Sequence, residues 1–198
     1  MTTQEGNDIS DAVLEEEFIE DLDIDREPTV YEIGDQVVYP HHGAGKVLKK
    51  EMKEVLGEKR EYLTIKILHN DMTVMVPCCN ADKAGLRRVI GEDDVKKVLS
   101  VLRDDVSQMP KNWNRRFKHN RDKMKTGDVF ELAEVVRNLG IRDFEKGLST
   151  GEKQMFTRAK KILASELMYA LDMEEKEAEE YLDDLIESTN EERAATAS

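Results

Sequence analysis

The apolar periodicity of this chain changes at Gly91, and that change constrains the fold more than any other feature. Upstream, "DQVVYP", "KVLKKEMKEV" and "REYLTIKIL" are short runs rich in β-branched and aromatic residues. In "MTVMVP", Met72, Val74 and Val76 share one face at period two, and "LRRVI" fits a fifth short strand. "HHGAG", Gly57 and Asn70-Asp71 read as the turns between them. Short strands with close turn signals predict a small antiparallel barrel over residues 31–90.

Downstream the period is helical. Val95, Val98, Leu99 and Leu102 form one stripe. A second helix starts at Asn112 or Asn114, both good N-caps, and closes at Thr126-Gly127. Asp128 and Glu131 open a third, with Val129, Leu132, Ala133, Val136 and Leu139 repeating until Gly140. Ser149-x-x-Glu152 is a capping box for a fourth, with Met155, Ala159, Ile162, Leu163 and Leu167 inward. Ala178, Tyr181, Leu182, Leu185 and Ile186 mark the last. The predicted fold class is α+β, a small antiparallel barrel (31–90) followed by a compact all-helical domain (91–187). Residues 1–30 are expected to be an acidic disordered tail, and 188–198 a disordered C-terminal end.

Charge is informative once divided along the chain. The net charge is −13, yet residues 1–30 hold 11 acidic groups against one Arg, and residues 172–198 hold 11 against Lys176 and Arg193. The middle is therefore basic, and "KNWNRRFKHNRDKMK" alone carries seven Lys or Arg against Asp122. Such a patch is the footprint of a polyanion-binding surface. The acidic start reads as a solvated tail, or as one that competes with nucleic acid for that patch or docks on a partner.

Trp113, the only tryptophan, lies inside this basic run. On a helical wheel it falls in one stripe with Phe117, Asn120 and Met124, as a core residue would. Against that, it opens its helix, where half a core surrounds a side chain. Arg115 and Arg116 also stand in the first turns, where the helix dipole disfavours cations and a bound anion would reverse the penalty. Both readings stand on the residues alone.

Other chemistries have little support. There is no phosphate-cradling glycine motif, nucleophile elbow or HExxH, so no enzyme, metal or cofactor is expected. Cys78 and Cys79 are adjacent and read as reduced, buried small hydrophobes, and neither they nor His41-His42 have metal-ligand spacing. No run approaches a membrane span, and the start lacks the features of a secretory signal, so a cytoplasmic protein is expected.

"GDQVVYPHHGAGKV", "EYLTIKI", "MTVMVP", "NWNRRFKHN", "AEVVRNL" and "KGLSTGEKQMFTRAKKIL" together resemble the CarD/CdnL family of bacterial RNA polymerase-binding transcription regulators, over about residues 33–171. The resemblance implies a Tudor/SH3-like barrel that docks on the polymerase β subunit, and a helical domain that contacts promoter DNA. It implies a tryptophan wedge at the upstream edge of the melted region, stabilising the open complex. By that likeness the wedge is Trp113, the basic neighbours are Arg115, Arg116 and Lys118, and Arg142 is a further phosphate contact. Polymerase contacts fall on Lys53 and on Met75, a position where close relatives carry arginine. The chain is then expected to be a nucleoid-associated monomer with no membrane or small-molecule partner. The competing expectation is a protein–protein adaptor on polymerase that never meets DNA.

Overall fold

A computed structural model describes residues 29–68 and 71–196 of the chain. Strands β1 (Gln36–Tyr39), β2 (Gly43–Val55), β3 (Glu58–Ile67), β4 (Thr73–Pro77) and β5 (Arg87–Arg88) form one antiparallel sheet in the order β4-β3-β2-β1-β5. A register shift between Val47 and Lys49 lets the long β2–β3 ribbon bend. The sheet wraps a core of Val37, Val47, Leu63, Ile65, Ile67 and Val76, closed by Leu86 and Tyr31. The Tyr31 hydroxyl donates to Leu86 O at 2.7 Å.

"HHGAG" is less of a turn than its glycines suggest, because Gly43, Ala44 and Gly45 already belong to β2. A Cβ on Gly45 would lie 2.4 Å from the Lys66 carbonyl oxygen, so this glycine serves a close strand approach.

Five helices follow: α1 (Glu92–Arg103), α2 (Trp113–Lys125), α3 (Val129–Lys146), α4 (Thr150–Ala170) and α5 (Glu175–Thr196). Their second core gathers Val98, Leu139, Leu163, Leu167 and Leu182, with the predicted stripes facing inward. Two helices outrun the sequence expectation. α3 continues through Gly140 to Lys146, and the glycine serves packing there, since a Cβ would press to 3.0 Å from Ile186 Cγ2 of α5. α5 runs to Thr196 and buries Thr189 and Asn190, so residues 188–196 are helical and docked. The tail expected over 1–30 lies outside the described residues up to position 28. Thr29 and Val30 are already held, Thr29 N by Asp82 Oδ2 at 3.0 Å and Val30 O by Arg88 Nη2 at 3.2 Å.

Barrel and helices are joined by polar contacts. Glu166 on α4 is 1% exposed and takes both Nη groups of Arg87, at 2.5 and 2.9 Å, and the Ile90 amide at 3.2 Å. Ser165 Oγ accepts from Ala44 N at 2.9 Å. Loss of Arg87 would strand the buried Glu166 carboxylate, so this pair helps hold the junction together. Among the described residues no helix is long and apolar enough to cross a membrane.

Candidate nucleic-acid interface

The start of α2 is set by Asn112, whose side chain accepts from Arg115 N at 3.2 Å. Trp113 is thus the first helical residue. Its indole stacks on Phe117, with ring centroids 5.3 Å apart and planes 26° apart, and its Nε1 donates to Ser149 Oγ at 2.9 Å. Phe117 and Met124 pack against the helical core, while 44% of Trp113 stays exposed. Trp113 thus shares its stripe with core residues and still keeps nearly half its surface open. Trp113 is pinned in place and half open to solvent.

What pins it is the capping box of α4. Glu152 Oε2 accepts from the Ser149 hydroxyl at 2.8 Å and from its amide at 3.2 Å. Glu152 Oε1 accepts from Arg116 Nε at 2.8 Å, and Arg142 Nε lies 3.6 Å from the same oxygen. One carboxylate, 1% exposed, therefore ties α2, α3 and α4 together and holds Ser149 under the indole. Burial works to raise its pKa, but the hydrogen bonds from Arg116 and Ser149 outweigh that and hold the carboxyl below its usual range.

This geometry changes the roles of two expected contacts. Arg116 is 5% exposed, with its charge matched by Glu152 and its Nη1 donating to Lys111 O at 3.1 Å. It faces inward, which also accounts for a cation in a first turn that holds no acidic residue. Arg142 is partly buried against the same carboxylate. Arg115 and Lys118 are exposed and make no ion pair among the described residues.

Phe117 leads from Trp113 into a cleft of about 420 Å³ between α2, α4 and the β1–β2 turn, lined by Arg121, Met124, Lys125, Met155, Arg158 and His41. Sharing His41 and Arg158, it adjoins a second hollow of about 480 Å³ that adds His42, Lys153 and Lys161. A Cβ on Gly151 would come 3.4 Å from Phe117 and 3.7 Å from Trp113, so the glycine lets α4 run close beneath both rings. Among the described residues no carboxylate lines either hollow. Arg121, Lys125, Lys153 and Lys161 make no ion pair among the described residues, and Arg158 Nη2 donates to His41 O at 3.0 Å. Sequence reasoning found the α2 cations as a contiguous run but missed those of α4. They are spread through "GEKQMFTRAKK", and only packing sets them opposite α2.

On the barrel, Lys53 of β2 reaches over β3 to Met75 of β4, with Nζ 2.9 Å from Sδ and 3.2 Å from Glu51 Oε1. Met52, Leu56 and Met75 are exposed, and β4 is an edge strand. The two expected polymerase contacts thus lie together beside an open strand edge. Cys78 is half-buried, which pushes its thiol pKa up, and Cys79 is exposed.

Comparison with known proteins matches residues 31–90 to the family description "CarD-like/TRCF RID domain" and residues 97–183 to "CarD, C-terminal domain". YdeB of Bacillus subtilis (strain 168), whose name marks it as a candidate transcription factor, is 37% identical over 152 residues, covering 77% of this chain and 99% of YdeB. Among solved structures, the 72-residue N-terminal domain of Myxococcus xanthus CarD is 31% identical, covering 32% of this chain and 91% of that domain at a TM-score of 0.27. The N-terminal domain of CdnL from the same organism is 36% identical, covering 34% and 94%, also at 0.27. A five-stranded antiparallel sheet followed by five helices agrees with the predicted Tudor-like barrel and helical domain.

Proposed function

We infer the function from one premise: the chain belongs to the CarD family of RNA polymerase-associated transcription regulators. That family is one of regulators and not of enzymes. We propose that the barrel, residues 31–90, docks on the polymerase β subunit through the β4 edge, with Lys53 and Met75 at the contact. Strand-edge pairing relies on backbone groups, so it tolerates an apolar Met75. The helical domain then meets promoter DNA in the cytoplasm, at the nucleoid, with no cofactor and as a single copy.

In this reading Trp113 is a wedge at the upstream edge of the melted region. Unstacking a base step costs a few kcal/mol, and the cost is met where the duplex is already opening. Arg115 and Lys118 contact phosphate, which positions the wedge and reads no sequence. Arg116 and Arg142 act at one remove, by fixing Glu152 and through it Ser149 and the indole. Wedged there, the protein stabilises the open promoter complex.

The observation that carries the reading is the half-exposed indole, hydrogen-bonded on one edge and flanked by unmatched cations. As the only tryptophan, Trp113 tests it directly. Adding a forked duplex that mimics the upstream edge should quench and shift its emission. Emission that stays unchanged while polymerase still binds would replace the wedge by the adaptor without DNA contact.

A further inference from the structure

We propose that the acidic segment before Thr29 docks, within the same chain, into the basic cleft between α2, α4 and the β1–β2 turn. Three observations meet there: unmatched charge, an apolar floor and reach.

The cleft is where unmatched cations gather. Several basic side chains elsewhere have carboxylates beside them, Lys50 with Glu32 and Glu61, Lys53 with Glu51, Arg60 with Glu58, Arg88 with Asp35 and Lys160 with Asp183, whereas Arg115 and Lys118 beside Trp113 share with the cleft the lack of an ion pair among the described residues. Arg121, Lys125, Lys153 and Lys161 have none among the described residues. Residues 1–28 carry 11 acidic groups against Arg26 alone. The other acidic block, after position 171, is committed to α5, which Ala178, Leu182 and Leu185 fix to the core.

Charge is not the whole match. Phe117, Met124 and Met155 make part of the cleft apolar. The segment interleaves Val13, Leu14, Phe18, Ile19, Leu22 and Ile24 with its carboxylates, in "AVLEEEFIEDLDID". A ligand offering both apolar and anionic groups suits this lining better than a bare anion does.

Reach is ample. The segment leaves the barrel where Thr29 N meets Asp82. Gly85, three residues on, abuts the Pro40 ring, since a Cβ there would lie 2.8 Å from Pro40 Cγ. Pro40 precedes His41, which lines the cleft. Against that short chain of contacts, 28 extended residues can span about 95 Å.

The cleft borders Trp113 through Phe117 and Gly151, so an occupying segment competes with promoter DNA. That consequence rests on the DNA reading above, whereas the docking does not. With an effective concentration of about 1 mM and a segment affinity of about 0.1 mM, DNA binding is weakened about tenfold.

The test uses the full chain, mixed from isotopically light and heavy preparations and treated with a zero-length carboxylate–amine cross-linker. The expected products join carboxylates between Glu5 and Glu27 to Lys125, Lys153 or Lys161 within one isotopic copy, and they disappear at high salt. Links spread evenly over Lys59, Lys83 and Lys176, links joining light to heavy copies, or no links would each overturn the docking. A second arm titrates duplex DNA against the chain carrying Glu15→Gln, Glu16→Gln, Glu17→Gln and Glu20→Gln, expected to bind about tenfold tighter. Localised links with unchanged DNA affinity would uphold the docking and sink the competition, placing the fault in the DNA reading of the cleft.

Discussion

Replacing Glu152 by Gln keeps the side-chain shape, removes its charge and is expected to cost the helical domain about 3 kcal/mol. The partners set the magnitude. The Arg116 side chain is 6% exposed and that of Glu152 1%, so the substitution strands a buried guanidinium. Removing one member of a buried pair costs about 3–5 kcal/mol. The glutamine oxygen can still accept a hydrogen bond worth about 1 kcal/mol, which selects the lower end of that range. For a domain of about 100 residues the melting temperature should fall by about 12–24 °C. Urea denaturation followed by Trp113 emission suits the test, because the indole sits on the perturbed network. The double variant Arg116→Met, Glu152→Leu removes both charges and should recover most of the loss, since a buried pair replaced by apolar volume is often near neutral. A loss below about 1 kcal/mol for Glu152→Gln would refute the reasoning. It would mean that Arg116 is solvated, and would return it to the set of phosphate contacts.

Acid should act on the same network. Glu152 and Glu134 both have carboxyls held low, Glu152 against its burial by Arg116 and Ser149, and Glu134 chiefly by the Lys123 hydrogen bond. Their stabilisation is full above the ordinary carboxylate pKa of about 4.3 and is lost as pH falls through the depressed values. Denaturation midpoints measured from pH 7 down to pH 3 should drop, and drop less steeply in Glu152→Gln. On the DNA side, Arg115→Gln or Lys118→Gln should each lower the slope of log affinity against log salt by about 0.9 without changing stability, as titrations at several salt concentrations would show. Arg116→Gln should do the reverse, destabilising the fold and leaving that slope unchanged.

Much of this architecture was legible in the residues. Period two before Gly91 and helical period after it separated strands from helices, and Asn112, Asp128 and Ser149 announced three helix starts. What could not be read was tertiary. A glycine inside a helical pattern looks like a stop, and at Gly140 the glycine instead makes room for a side chain of α5 distant in sequence. The polar tail of α5 looked frayed because Thr189 and Asn190 bury themselves against elements no local pattern reveals. The site shows the same divide. Trp113 and its basic neighbours were visible, and the capping box was visible too, but only as a helix start. That the box holds the indole and turns Arg116 inward depends on α4 crossing α2.

The most direct measurement of the central claim is the lifetime of open complexes formed by purified polymerase on a promoter, with and without the protein, challenged by a DNA competitor. Trp113→Ala should bind polymerase as the native chain does, since Lys53, Met75 and the β4 edge lie on the other domain, yet fail to extend that lifetime. Trp113→Phe, which keeps an aromatic wedge and loses the Ser149 hydrogen bond, should fall between. A folded Trp113→Ala protein that extends the lifetime as fully as the native chain would contradict the account.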